Sequence, residues 1–272
     1  MPDNPSPNKK AVFAGAAGVV LGFVVGFFLA NGLNRVEQDK LRAEAASLRA
    51  GPAAKGGAQP QPQGGGRGQA AAPEEDSFPT LTDEQLAGAV AKADAAPDDA
   101  ELQKKVGQAL YVYAWQRNNV KIIPEVARVL KRAHALDPKD YKTTVMAGDA
   151  HFLVARSGGD RGALAEARRL YEAALAAQPS DAVVRTSLGL TYFYDTPSDA
   201  KRAIGEYRRA LQSDPKQELS VQSLAAALIE TGGFDEAAKR LDELERLNPS
   251  NQELPNLRAQ LEQKKNAAKE KQ

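Results

Sequence analysis

The chain has no cysteine, and among its 272 residues are only two histidines, one tryptophan and two methionines. Without cysteine there are no disulfides, no thiolate metal sites and no cysteine nucleophile. The absence leaves the compartment open, because a cysteine-free chain suits reducing and oxidising surroundings alike. His134 and His151 alone do not make a histidine metal cluster, and both read as packed or half-exposed side chains rather than catalytic ones. An excess of one charge is also lacking: 36 Lys+Arg against 35 Asp+Glu leave a net charge of +1. Nucleic-acid binders usually concentrate basic residues on one face, so no nucleic-acid partner is expected. No nucleophile, base and orienting group occur in a recognisable arrangement. The glycine run from Gly64 to Gly68 lacks the following Lys-Ser/Thr of a phosphate loop. The expectation is a protein that is not an enzyme, with no catalytic residue, no cofactor and no metal.

Long apolar runs are scarce as well, with one exception. Residues 11–30 carry no charge and are rich in Val, Phe, Gly and Ala. At about 1.5 Å per residue they span about 30 Å, the thickness of a bilayer core. A cleaved signal peptide has an apolar region of only about 7–15 residues, so a signal anchor over 11–33, after a tail of residues 1–10, is the reading. Lys9 and Lys10 lie on one side, and Arg35, Lys40, Arg42 and Arg49 on the other, so the positive-inside count alone does not decide orientation. The short first tail favours an N-terminus inside, which puts the C-terminal part outside the cytoplasm of a bacterial inner membrane. Ala14, Gly18, Gly22, Gly26 and Ala30 recur every four residues along one helix face. Such a face lets two helices approach closely in lipid, which predicts a homodimer through the span, although small residues are also common in membrane helices generally.

Residues 34–50 are charged and Ala-rich, and read as a juxtamembrane helix. Residues 51–80 are rich in Gly, Pro, Gln and Ala with almost no large apolar side chain. Such a segment cannot bury enough surface to offset the entropy of ordering. It reads as a disordered tether with a reach of roughly 30 Å.

The remainder, 81–272, is organised by a repeat. Ser187-Leu188-Gly189-Leu190-Thr191-Tyr192 is followed by Ala203, Tyr207, Ala210 and Pro215. Ser223-Leu224-Ala225-Ala226-Ala227-Leu228 is followed by Ala237, Leu241, Leu244 and Pro249, and the two prolines stand 34 residues apart. This period and order of residues resemble the tetratricopeptide repeat (TPR). Pro97, Pro138, Pro179, Pro215 and Pro249 fall at intervals of 41, 41, 36 and 34. They divide the array into repeats 98–140, 141–181, 182–217 and 218–251. A helix at 82–96, opened by a Thr82–Gln85 capping box, and a helix at 252–265 cap the ends. Gly107, Gly148, Gly189 and Ala225 take the close-packing position of the first helices. Leu130, Tyr171, Tyr207 and Leu241 are the bulky neighbours on the second. The seven extra residues of the first two repeats are assigned to longer helices or turns around 118–124 and 157–161. The fold class is therefore all-α: a TPR solenoid preceded by one transmembrane helix and a disordered linker.

The resemblance implies that first helices line a concave groove that binds a protein or peptide. In this register the groove positions are Lys104, Gln108 and Tyr111; Val145, Asp149 and Phe152; Thr186, Leu190 and Phe193; and Gln222, Ala226 and Ile229. Tyr111, Phe152 and Phe193 form an aromatic ladder, unless a one-residue shift places them in the core between helices. Some TPR proteins clamp a C-terminal carboxylate with Lys and Asn. The matching positions here are Lys104, Gln108 and Asp149, and an Asp there repels a carboxylate, so that ligand is not expected. The outline resembles membrane-anchored TPR factors of cytochrome c maturation and envelope assembly. The functional expectation is an adaptor for a protein client, with a self-associating scaffold as the other class.

Overall fold

The computed structural model describes residues 80–158 and 160–270. The expected span at 11–33, its small-residue face from Ala14 to Ala30, the helix at 34–50 and the linker lie outside the described residues. Among those described, no helix is long and apolar enough to cross a membrane.

The described chain is an all-helical, TPR-like solenoid with no strand. Its ten helices are α1 Asp83–Ala95, α2 Ala100–Gln116, α3 Ile123–Leu136, α4 Tyr141–Gly158, α5 Arg161–Ala177, α6 Ala182–Phe193, α7 Ala200–Ser213, α8 Glu218–Thr231, α9 Phe234–Leu247 and α10 Leu254–Lys269. A short 3-10 turn, Val120–Ile122, precedes α3. The pairs α2/α3, α4/α5, α6/α7 and α8/α9 are four helical hairpins.

Short polar side chains set the helix starts. Thr82 and Gln85 exchange hydrogen bonds with each other's backbone N–H in a capping box. The side chains of Asp99, Asp160, Asp181 and Asp199 accept backbone N–H groups at the starts of α2, α5, α6 and α7. These satisfy donors that have no partner within the helix. At the ends of the second helices one device recurs. The residue before each turn proline, Asp137, Gln178, Asp214 or Asn248, donates its backbone N–H to the carbonyl four residues earlier. Asp137, Asp214 and Asn248 also accept the N–H two residues on, at 3.0–3.2 Å, which turns the chain where proline forbids another helical turn. Helix α8 stops at Gly232, whose φ of 83° lies in the left-handed region open to glycine.

Hairpin packing rests on small-against-large contacts. A Cβ at Gly107 would stand 2.7 Å from Leu130, one at Gly148 2.7 Å from Tyr171, and one at Gly189 2.4 Å from Tyr207. Each large partner is fully buried. In the fourth hairpin Ala225 and Leu241 are both buried in the same core. First helices also approach one another from hairpin to hairpin, α2 to α4, α4 to α6 and α6 to α8, whereas successive second helices stay apart. That asymmetry curves the array and makes the first helices its inner wall. The second helices are linked across their gap by ion pairs between long side chains, such as Lys131–Glu166 at 3.4 Å and Arg208–Glu236 at 2.6 Å. Their cations, Lys131 and Arg208, are half exposed, so such pairs contribute little to stability.

The two 41-residue repeats are longer because their helices are longer. Helix α4 has 18 residues and α5 has 17, against 12 and 14 in α6 and α7. Helix α2 has 17 residues and is followed by the 3-10 turn.

Candidate functional site

Because the first helices pack closely, most polar side chains at the groove positions reach the next repeat. Lys104 pairs with Asp140. The Gln108 amide donates to Thr143 Oγ1 at 2.9 Å. The Tyr111 hydroxyl donates to Asp149 Oδ2 at 3.0 Å, and Tyr171 donates to Asp149 Oδ1 at 2.8 Å. Thr186 and Ser220 hydroxyls stand 2.5 Å apart, and Asn251 donates to Gln222 at 2.9 Å. Gln108, Tyr111 and Thr186 stitch repeat to repeat along the inner wall, while the Lys104 and Gln222 pairs close within their own repeats.

Asp149 is the chemically unusual member. It is buried, and two tyrosine hydroxyls rather than a cation donate to its carboxylate. Burial drives its carboxyl up to about 7, although the two tyrosine hydroxyls favour the charged form. Burial beside that carboxylate also raises the Tyr111 and Tyr171 hydroxyls well above the usual phenol value. The triad joins α2, α4 and α5 and has no access to a substrate.

The aromatic positions divide. Tyr111 is buried, with its ring edge-on to Trp115 at 5.9 Å. Phe152 is also buried and tilts against Tyr194 at 6.1 Å. Thr186, Leu190, Gln222 and Ile229 are buried, while Lys104, Val145, Phe193 and Ala226 keep part of their surface open. Phe193 meets Tyr194 edge-on at 5.4 Å, and the Arg156 guanidinium carbon sits 3.7 Å above the Tyr194 ring. Arg156, Phe193 and Tyr194 are all half-buried. The open part of the wall is thus an aromatic patch at the ends of α4 and α6. Sequence reasoning reached Phe193 and missed Tyr194 and Arg156. Two signals were available: Tyr194 follows Phe193 directly, and Arg156 lies four residues after Phe152 on one helix face.

A further concavity lies away from the aromatic patch. It is a cleft of about 540 Å³ between α5, α6 and α7, with Tyr192 and Leu188 on its lining. Its charges are largely mutual: Glu206 accepts Arg185 at 3.1 Å and Arg209 at 2.7 Å, and Tyr192 donates to Glu172 at 3.2 Å. His134 Nδ1 lies 2.8 Å from Thr144 Oγ1, which itself donates to the Asp140 carbonyl, and burial lowers its pKa. Burial likewise lowers that of His151. Among the described residues no cluster of His, Asp and Glu could hold a metal ion.

A tetratricopeptide-repeat family profile matches residues 198–261, the last part of the array. No curated protein matches the chain. Among solved structures, YrrB, described as a TPR protein with an unusual peptide-binding site, is 12% identical. That likeness covers 65% of this chain and 82% of YrrB with a TM-score of 0.52. MamA from Desulfovibrio magneticus is 21% identical over 62% of this chain and 86% of its own, with a TM-score of 0.49. TTC0263, a TPR protein from Thermus thermophilus, is 19% identical over 66% of this chain and 96% of its own, with a TM-score of 0.47. At these identities the likeness to YrrB shows the fold and nothing finer.

Proposed function

We propose that this chain is a membrane-anchored TPR adaptor that captures a segment of a protein partner on the wall of its first helices. The observation that carries the reading is the half-buried patch of Phe193 and Tyr194. It remains open on a wall whose other side chains are mostly occupied by one another. Large aromatics at the centre of a contact supply most of the energy of such interfaces, and an extended or helical peptide with spaced apolar anchors suits a wall of this kind. YrrB, of similar fold, is described as having a peptide-binding site.

The uncharged run at 11–30 supports anchorage in a bacterial inner membrane, with the array on the far side from the cytoplasm. The linker at 51–80 supplies reach. The Ala14–Gly18–Gly22–Gly26–Ala30 face supports pairing of two spans, and paired arrays gain avidity if both engage one client. Assembly of an envelope complex is the setting proposed, with cytochrome c maturation as one member of that class. The test is a photo-crosslinker at Val145 in the native membrane, repeated with Phe193→Ala. The adaptor predicts crosslinks to a heterologous client that Phe193→Ala abolishes without lowering the melting temperature. Crosslinks only between copies of the chain select a self-associating scaffold instead.

A further inference from the structure

Most arginines of the array have a carboxylate partner: Arg128 and Arg132 hold Asp94, Arg168 holds Asp195, Arg185 and Arg209 share Glu206, and Arg258 reaches Asp242 and Glu245. Arg156 is different. Its contact is the Tyr194 ring, 3.7 Å from the guanidinium carbon, and among the described residues no carboxylate or carbonyl accepts its N–H groups. Yet it is half-buried rather than solvated. The ring occupies one face of the guanidinium and limits its motion, while the five donors point outward in the guanidinium plane. An arginine so held is preorganised for a planar anion, because the ordering cost is met before the ligand arrives. Three acids of the adjoining elements are engaged elsewhere. Asp149 is locked between two tyrosines, Asp160 caps α5, and Asp195 is held by Arg168.

Two further observations give the site extent and direction. Arg156 stands in a turn that the shorter repeats lack: α4 runs ten residues past Gly148, to Gly158, whereas α6 runs only four past Gly189, to Phe193. The extended helix end therefore raises Arg156 beside the Phe193–Tyr194 patch. The Tyr194 hydroxyl, raised mainly by burial, also feels Arg156, which lowers its pKa, and Glu253, which raises it. One Glu253 carboxylate oxygen is buried without a hydrogen-bond partner. Arg156 thus sets a cation of repeat 141–181 against one edge of the patch.

We propose that the wall selects peptide segments bearing an internal Asp or Glu, whose carboxylate pairs with Arg156 while a neighbouring aromatic or aliphatic residue packs on Phe193. The site is separate from the Lys104, Gln108 and Asp149 positions, which are engaged within the protein. It rests on the groove reading above and names the ligand class for it.

The test uses a library of random twelve-residue peptides displayed on phage and selected on the full chain in detergent micelles. The expected result is enrichment of Asp or Glu within a few residues of Phe, Tyr, Leu or Ile. A selected peptide, made synthetically, should bind Arg156→Gln about tenfold more weakly, the lower end of what a hydrogen bond to a charged group contributes. Replacing the peptide's own acid by its amide should weaken binding to the unaltered protein equally, and should cause no further loss on Arg156→Gln. That second measurement leaves the protein unchanged, so it stands even if the substitution disturbs folding. Enriched peptides without acid preference, or binding indifferent to the acid, overturn the proposal and leave the groove standing. Failure to enrich any peptide removes both.

Discussion

Gly189→Ala probes the contact on which the register of the whole wall depends. A methyl at this position would lie 2.4 Å from Tyr207 Cε1 and 2.8 Å from Cδ1, well inside the roughly 3.5–4.0 Å at which carbon atoms attract. The Tyr207 ring is fully buried, so it has no solvent side into which to move. Overpacking of a tight core costs about 1–3 kcal/mol. Against this, alanine in a helix interior is better than glycine by roughly 0.5–1 kcal/mol. The net expectation is a loss of about 1–2 kcal/mol, a fall in melting temperature of about 2–8 °C for an array of this size. Gly205→Ala is the control. It also lies within a helix, but a Cβ there meets nothing within 4 Å, so only the propensity gain remains and stability should rise by roughly 0.5–1 kcal/mol. Urea unfolding followed by circular dichroism separates the two. Combining Gly189→Ala with Tyr207→Leu should cost less than the sum of the single changes, because each change relieves the other. A Gly189→Ala protein as stable as its parent, or strict additivity with Tyr207→Leu, would refute the packing described.

Asp149→Asn tests the buried triad through pH. The carboxyl is raised to about 7 in the folded protein, against about 3.9 in an unfolded chain. The folded state therefore binds the extra proton, and the associated stability is fully present below about pH 4 and is lost as pH rises through 7. The slope approaches about 1.4 kcal/mol per pH unit within that window. Asparagine cannot ionise, so the variant should gain on the parent steadily as urea midpoints are compared from pH 4 to pH 8, and parallel profiles would count against the reading. Tyr113→Phe removes the hydroxyl that accepts the Leu81 N–H at 3.3 Å and donates to the Leu81 carbonyl at 3.2 Å. It should cost about 1 kcal/mol and quicken hydrogen exchange at the Leu81 amide, whereas unchanged exchange would show that the segment before α1 is held by other contacts.

The parts legible in the sequence are those set by contacts within one hairpin or one turn. Gly148 and Tyr171, or Gly189 and Tyr207, recur at matching positions because both residues belong to the same repeat, and the repeat period exposes them. Asp137 and Asp214 announce turns because their roles depend on the proline that follows. The inner wall is another matter. Whether Gln108 faces a ligand or Thr143, and whether Tyr111 is an open rung or the donor to Asp149, depends on the distance between successive first helices. That distance is set by side chains spread over both repeats, and no local pattern encodes it. The close approach turns four polar groove positions, Gln108, Tyr111, Asp149 and Thr186, into repeat-to-repeat hydrogen bonds and leaves the patch beside Phe193 open.

The same geometry gives the stretched repeats a purpose beyond spacing. In a 34-residue repeat the first helix ends soon after its packing residue: α8 stops at Thr231, six residues past Ala225. Helices α2 and α4 continue nine and ten residues past Gly107 and Gly148, to Gln116 and Gly158. Eight residues past each glycine stand Trp115 and Arg156, at one position in successive repeats. Both lean on an aromatic ring, Trp115 on Tyr111 and Arg156 on Tyr194. Packing within a hairpin does not call for these added turns, since α6 and α8 form cores without them. What the turns add is height at one end of the wall, and the side chains there are a large amphipathic aromatic and a held cation. Those residue types are among the ones that contribute most at protein interfaces. Three or four of the seven extra residues per repeat thus lengthen the first helix beside the Phe193–Tyr194 patch, and shortening α4 by one turn before Arg156 should remove the proposed acidic-peptide binding while the Gly148–Tyr171 core remains intact.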